Sequence, residues 1–317
     1  MSSHVTRLGL QMPIFNFPDV GPEGLLDKLG DIATTAENSG FDSVWVMDHL
    51  NQIPPVGPRE MWMLEGNTAL AAVAARTRKA SLGLMVGGVT YRNPALHAKI
   101  TTSIDVLSGG RAIHGIGAAW YEEEHVGYGY RFPPIAERFE RLEDHLNIAR
   151  AMFTQERATY EGKHHSVNGA LNYPRPVRGD IPIMVGGSGR RKTLRMVAQY
   201  ADASNVFGAP DQIRELMSVI DQHCENVGRD PKQITRTRLG TLILARTHEE
   251  AERKRDAILG DRPARTTAIW GDPDTVAEKV SALQDAGLDG QLFTVPDSWD
   301  LEVLELAGRT LRGVIGD

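Results

Sequence analysis

The sequence has only one cysteine, Cys224, among its 317 residues. A single thiol excludes an intrachain disulfide, and it excludes a zinc site built on a cysteine cluster. No apolar run approaches the roughly 20 residues that a membrane-spanning helix needs. The first residues, MSSHVTRLGLQMP, lack the basic segment and long apolar core of a signal peptide. These absences predict a cytoplasmic protein without a membrane partner.

A strong excess of charge of either sign is also missing. The chain carries 35 Lys and Arg against 41 Asp and Glu, a net charge of −6. Domains that bind nucleic acid usually present a basic surface, so this balance argues against a nucleic-acid partner. Apolar residues make up 41% of the chain and charged residues 24%, as in globular proteins with a large core.

What the sequence does contain is a regular alternation of short apolar runs and amphipathic helical segments. The predicted strands are residues 6–12, 43–47, 80–86, 111–116, 183–185, 203–206, 237–245 and 290–295. The predicted helices are residues 24–39, 64–76, 95–107, 135–153, 190–200, 211–227, 249–259, 273–286 and 301–311. Such alternation indicates a parallel sheet, either closed as an eightfold barrel or open and doubly wound. Because composition does not break along the chain, we predict one (β/α)8 TIM-barrel domain spanning residues 1–317.

Two segments depart from this alternation. Residues 154–180 are rich in Gly, Pro and Asn and lack a long periodic run, so we interpret them as an insertion between the fourth helix and the fifth strand, with room for a small hairpin. Residues 50–62 form a long loop after the second strand, which suits a lid over an active site.

A glycine-rich loop, Gly186-Gly187-Ser188-Gly189, follows the fifth predicted strand and precedes a helical pattern. Glycines permit sharp turns with open N–H groups, and a helix N-terminus favours an anion. A Walker A motif fails because Arg191 occupies the place of its second glycine. A dinucleotide fingerprint fails because Lys192 occupies the place of its third glycine. The loop therefore indicates an anion site of another kind, with a plain structural turn as the alternative.

In a parallel barrel, functional groups gather at the carboxyl ends of the strands. The second strand ends in Asp48-His49. An imidazole exchanges protons near neutral pH, so His49 is a candidate acid or base, and Asp48 is a candidate for orienting it. A hydrogen-bonded structural histidine is the alternative. Gly87-Gly88, after the third strand, indicates either a bulge or a turn.

Other polar clusters carry weaker signals. Glu122-Glu123-Glu124, after the fourth strand, is typical of a solvated acidic run. Four histidines invite a metal interpretation: His125, His145, His164 and His165. Because they lack a ligand spacing such as HExxH, we predict no metal site. The absence of a GxSxG motif gives no support to an α/β-hydrolase.

Taken in order, these segments resemble the bacterial luciferase-like superfamily, and in particular its coenzyme F420-dependent oxidoreductases. The matching segments are residues 40–49, 91–95, 107–111, 115–124, 137–143, 183–189 and 201–202. The resemblance implies an eightfold barrel with a flavin or deazaflavin at its C-terminal mouth. It further implies a homodimer, as is common among relatives.

The resemblance also assigns expected roles to individual residues. Asp48 and His49 would lie beside the redox-active ring. The expected support under the ring is a bulge of Met85, Val86, Gly87 and Gly88, often with a non-proline cis peptide. Trp120 and the run Glu122–Glu124, from which Glu123 is the named contact, would border the ring. Gly186, Gly187, Ser188 and Gly189 would hold the phosphate. The family usually has glycine where this chain has Ala119.

The function implied by the resemblance is hydride transfer between coenzyme F420 and a small organic substrate that the sequence does not identify. Two alternatives stay open. One is an FMN-dependent monooxygenase on the same scaffold, and the other is a non-catalytic flavin-binding protein. We expect the loops at residues 50–62, 154–180 and 260–270 to shape the substrate pocket.

Overall fold

The computed structural model describes residues 5–262 and 264–316. The strands are β1 (Leu8–Met12), β2 (Ser43–Val46), β3 (Ser81–Leu84), β4 (Gly87–Gly88), β5 (Ala112–Gly117), β6 (Ala158–Glu161), β7 (Ser166–Ala170), β8 (Ile183–Gly186), β9 (Ala203–Val206), β10 (Thr235–Leu244), β11 (Ile269–Gly271) and β12 (Gly290–Thr294). The helices are α1 (Leu25–Ser39), α2 (Gly66–Arg76), α3 (Pro94–Ser108), α4 (Glu122–Gly127), α5 (Ile135–Thr154), α6 (Thr193–Tyr200), α7 (Pro210–Val227), α8 (His248–Leu259), α9 (Ala264–Thr267), α10 (Pro273–Gln284) and α11 (Leu301–Ile315).

Eight of these strands close into a parallel barrel in the order β1, β2, β3, β5, β8, β9, β10, β12, and β12 pairs again with β1. Leu10 on β1, for example, lies beside Val44 of β2 on one side and beside Phe293 of β12 on the other. The predicted (β/α)8 barrel is confirmed. Closure places the carboxyl ends of all eight strands at one mouth.

The strand side chains are buried on both faces of the sheet, which explains why the strands have continuous apolar sequences. One layer fills the barrel interior and includes Trp45, Ile113, Met184 and Leu292. A larger layer packs between the strands and the helices. Trp45 is fully buried, and its indole N–H donates to Ser43 Oγ at 2.8 Å, so its polar atom is satisfied inside the core.

The insertion at residues 154–180 contains the antiparallel hairpin of β6 and β7. Four elements were not predicted: the short helices α4 and α9, the two-residue strand β4, and strand β11, which adds to β10. The helix after the glycine loop begins at Thr193 rather than at residue 190, because the chain first makes a turn over residues 190–192. The predicted domain at residues 1–317 includes residues 1–4, 263 and 317, which lie outside the described residues.

In the part of the chain that the structure describes, no helix is a candidate for crossing a membrane. None of the helices there combines the length and the apolar character that crossing a bilayer requires.

Candidate active site

A cavity of about 840 Å³ opens where the barrel strands end. Nine of the residues predicted from the sequence line it: Asp48, His49, Met85, Val86, Gly87, Gly88, Trp120, Gly186 and Gly187. Glu123, Ser188 and Gly189 are not among the lining residues. The structure therefore brings together residues from the ends of four strands, as the barrel topology requires.

His49 is held by a carboxylate that the sequence did not single out. Its Nδ1 lies 2.7 Å from Oε1 of Glu124, 75 residues away on α4. The other oxygen of Glu124 accepts the backbone N–H of Leu50 at 2.7 Å. The network assigns the proton to Nδ1, since the carboxylate accepts, which leaves Nε2 as the nitrogen that can exchange a proton with a ligand.

Glu124 is fully buried. Burial raises the pKa of this carboxyl, but hydrogen bonds from His49, Tyr91 and the Leu50 amide outweigh burial, and the net pKa lies below its usual value. Glu124 is therefore ionised at neutral pH. An ionised acceptor on Nδ1 orients the imidazole of His49 and fixes which of its nitrogens carries the proton.

Asp48 has a different role from the predicted one. Its carboxylate accepts two hydrogen bonds from Arg92, at 2.7 and 2.8 Å, and one from the backbone N–H of Gly88 at 2.9 Å. Burial raises the pKa of Asp48, and the hydrogen bonds from Arg92 and Gly88 offset only part of that rise. The expectation that Asp48 orients His49 is wrong, because Glu124 occupies that position. Asp48 instead fixes the backbone after the third strand.

That backbone forms the expected bulge. The peptide bond between Met85 and Val86 is cis, as the family resemblance implied. Gln11 lies behind it, donating to the Met85 carbonyl at 3.4 Å while its own oxygen accepts from Thr294 at 2.7 Å. The bulge requires glycine on the neighbouring strand, since a Cβ on Gly115 would lie 1.9 Å from the Leu84 carbonyl oxygen.

The glycine loop reaches the cavity only in part. Gly186 and Gly187 line the cavity, and Gly187 has φ of +128°, a conformation that favours glycine. The hydroxyl of Ser188 instead accepts the Phe207 N–H at 3.0 Å. Thr193, at the start of α6, lines the cavity and was not predicted. Helix α6 has no side-chain cap, although the Leu194 N–H in its first turn already donates to the Gly189 carbonyl at 3.1 Å.

The segment after β5 contains the predicted residues Trp120 and Glu123 and the unusual Ala119. Trp120 packs its edge against His49, with ring centroids 5.6 Å apart. Ala119 adopts a left-handed φ of +58°, which accounts for a preference for glycine there. Glu123 is exposed and accepts from the Tyr121 hydroxyl at 2.9 Å, whereas α4 turns Glu124 inward. Only the short helix distinguishes the buried carboxylate from its exposed neighbours.

Comparison with known proteins identifies the family of this chain. The profile of the luciferase-like monooxygenase family matches residues 6–264, most of the chain. The protein belongs to the luciferase-like monooxygenase family. A curated relative in Segniliparus rotundus, an F420-dependent glucose-6-phosphate dehydrogenase, is 29% identical over 90% of this chain and 92% of its own length.

Two solved structures show the same fold as this luciferase-like protein. The coenzyme F420-dependent tetrahydromethanopterin reductase from Methanopyrus kandleri has a TM-score of 0.78 and 20% identity, covering 98% of this chain and 99% of that one. Monooxygenase RslO1 from Streptomyces bottropensis has a TM-score of 0.80 and 18% identity, covering 97% and 99%. At these identities the likeness concerns the fold alone.

The four histidines that invited a metal interpretation do not converge in this family member. His125 bonds Thr90 at 2.6 Å and His164 bonds Glu140 at 2.8 Å. His165 lies 3.1 Å from a guanidinium nitrogen of Arg141. The absence of a metal in this protein stays a prediction.

His145 belongs to a separate cluster with His97 and His114, whose ligand atoms all lie within 4.8 Å of one another. The cluster lies behind the bulge, because a Cβ on Gly87 would lie 2.7 Å from His97 Cε1. Nε2 of His114 is 3.0 Å from Nε2 of His145. Burial lowers the pKa of all three histidines, that of His114 to about 3, so the imidazoles are neutral at pH 7.

This cluster predicts acid sensitivity in the luciferase-like fold. The unfolded state binds protons at His114 below pH 6.5 while the folded state stays neutral until about pH 3, so stability falls as the pH drops through that window. At pH 5 the loss from His114 alone is about 2 kcal/mol. Urea unfolding should therefore depend less on pH between 7 and 5 in His114→Leu than in the wild type. The partly exposed His223 serves as control, and an equal flattening in His223→Gln would contradict the assignment.

Proposed function

We propose that this protein is an F420-dependent oxidoreductase that transfers a hydride between the deazaflavin and a small organic substrate. The observation that carries the proposal is that His49, held by Glu124, lines one cavity together with the Met85–Val86 bulge. The relative from Segniliparus rotundus supports the choice of cofactor, since it is an F420-dependent dehydrogenase matched over most of both chains.

The described residues fit such a cofactor. The bulge, fixed by Gln11 and Asp48, offers a rigid backbone surface against which a planar ring can rest. Gly186 and Gly187 leave room for a phosphate beside Thr193 at the start of α6, although the Gly187 N–H itself already donates to the Asn205 carbonyl at 2.9 Å. When bound, the deazaflavin supplies a ring carbon that accepts or gives up a hydride.

His49 is the residue we assign to proton exchange with the substrate. Its side chain is 15% exposed and lines the cavity, while its partner Glu124 is completely buried. An imidazole that is fixed through Nδ1 can accept or return a proton at Nε2 as the substrate loses or gains a hydride. Trp120 and Tyr121 pack edge-on against the imidazole and limit its rotation.

The substrate pocket involves two of the predicted loops. Ile53, Pro55 and Val56 of the loop at residues 50–62 line the cavity. Arg262, on the opposite side, donates to the Val56 carbonyl at 2.7 Å and holds that loop over the cavity. Arg262, Thr266 and Thr267 of the region at residues 260–270 line the cavity, while residue 263 of that region lies outside the described residues. None of residues 154–180, the remaining expected loop, is among the lining residues. A homodimer and a cytoplasmic location stay predictions.

A titration of the purified protein with F420 and with FMN, each followed by fluorescence, tests the proposal. We expect F420 to bind more tightly, and the bound deazaflavin to be reduced or reoxidised by small organic molecules without oxygen uptake. Tighter binding of FMN together with oxygen consumption would instead indicate a monooxygenase. Tight binding of either cofactor without turnover on any substrate would indicate a non-catalytic binding protein.

A further inference from the structure

Arg238 is a buried cation in the wall of the same cavity. It lies on β10, is 4% exposed, and lines the cavity together with Gly208 and Thr267. Its Nε donates to the Gly208 carbonyl at 2.8 Å, and its Nη2 donates to the Thr267 carbonyl at 3.3 Å. Its Nη1 is buried and has no hydrogen-bond partner among residues 5–262 and 264–316.

The charge of Arg238 is uncompensated by any carboxylate contact in the described part of the chain. Burial lowers the pKa of its guanidinium to about 10, so the group remains charged at neutral pH. Two other arginines of the structure are paired with carboxylates, Arg92 with Asp48 and Arg150 with Asp202. Arg111 and Arg138 are buried and donate to backbone carbonyls instead, but neither lines the cavity. A buried charge without a counterion is costly, and proteins normally pair it.

The surroundings favour a ligand rather than a protein counterion. Gly240, two residues further along β10, leaves the room that the guanidinium occupies, because a Cβ there would lie 2.1 Å from Nη1. The two carbonyl bonds fix the plane of the guanidinium, and a fixed fork suits a bidentate oxygen ligand. The alternative role of Arg238 is to hold the loops that contain Gly208 and Thr267, but that role uses only Nε and Nη2.

We propose that Arg238 binds an anionic oxygen group, a carboxylate or a phosphate, of a molecule in the cavity. The proposal rests on the proposed function in that this molecule is either the cofactor or the substrate. The cofactor tail is one source, since the glycine loop bonds Phe207 through Ser188 and the next residue, Gly208, bonds Arg238. The substrate is the other source, because Arg238 lines the cavity that also contains His49.

Binding measurements with the full chain separate these sources. The probes are inorganic phosphate, F420, and the deazaflavin chromophore that lacks the phosphate and glutamyl tail. The variants are Arg238→Gln, Arg238→Lys, and Gly240→Ala, which keeps the charge but displaces the guanidinium. Arg236→Gln is the matched control, because Arg236 lies on the same strand and pairs with Asp221.

Loss of one charge-assisted contact should weaken binding about ten- to hundredfold. If the anion belongs to the cofactor, Arg238→Gln weakens F420 by that factor and leaves the tailless chromophore unchanged. If it belongs to the substrate, Arg238→Gln weakens inorganic phosphate and leaves F420 unchanged. In either case Arg238→Lys restores part of the affinity, Gly240→Ala weakens the same ligand, and Arg236→Gln has little effect.

The inference is overturned if Arg238→Gln and Gly240→Ala leave every affinity unchanged, even where they lower the melting temperature, because Arg238 would then only hold the loops. Failure of the proposed function gives a different result. A wild-type protein that binds no F420, but binds inorganic phosphate in an Arg238-dependent way, supports the anion site while refuting F420 dependence.

Discussion

Replacement of His49 by alanine is expected to slow hydride transfer by a factor of about 10²–10⁴, the usual contribution of a positioned acid or base. F420 affinity should change little, because we expect the ring to rest on the Met85–Val86 backbone rather than on the imidazole. The rate is measured in a single turnover from the absorbance of the deazaflavin. An unchanged rate and an unchanged pH profile would remove His49 from the mechanism.

Glu124→Gln separates positioning from proton transfer. A neutral amide can still accept from Nδ1, but it lacks the negative charge that the buried carboxylate places beside the imidazole. The rate should therefore fall less than in His49→Ala, and its dependence on pH should change. Glu123→Gln removes the neighbouring exposed charge and is the matched control. A pH profile that moves equally in both variants would contradict the assignment of Glu124.

Arg92→Met is expected to lower the free energy of unfolding by about 3–5 kcal/mol, because it leaves a buried carboxylate without its partner. The side chain of Asp48 is 1% exposed and that of Arg92 is 12% exposed. Urea unfolding at pH 7 gives the stability. F420 binding should also weaken, because Asp48 holds the Gly88 N–H of the ring support.

Two further variants test the physical cause. Removing both charges in Asp48→Asn with Arg92→Met should recover part of the lost stability, because no unpaired charge remains buried. Arg76→Met breaks an ion pair with Asp27 in which the side chains are 42% and 76% exposed, and it should cost less than about 1 kcal/mol. Equal losses in Arg76→Met and Arg92→Met would contradict the role of burial.

The barrel could be predicted from the sequence because the patterns that indicate its strands and helices involve only residues that are close together in the chain. All eight predicted barrel strands are present, since short β-branched runs and the amphipathic helices between them depend on neighbours in the chain. Parallel closure then places every strand end at one mouth. That rule alone predicted that His49, Gly87 and Gly186 would share a cavity, although 137 positions separate the first from the last.

The partners of those residues depended on the tertiary structure. Sequence adjacency suggested that Asp48 orients His49, but Glu124 of α4 bonds both the imidazole and the Leu50 N–H in the segment that follows β2. Asp48 turns to Arg92, 44 residues away. Arg238 had no signal in the sequence, because its significance lies in being buried without a carboxylate.

The sequence by itself thus determined the fold, the mouth where the site lies and the kind of anchor loop, because strand periodicity and strand order are properties of the chain. Only the tertiary structure decided which carboxylate holds His49, which residues fix the bulge and which cation lies in the wall. Those pairings depend on the rotation of each helix and the direction of each side chain, which burial and packing set across the whole barrel.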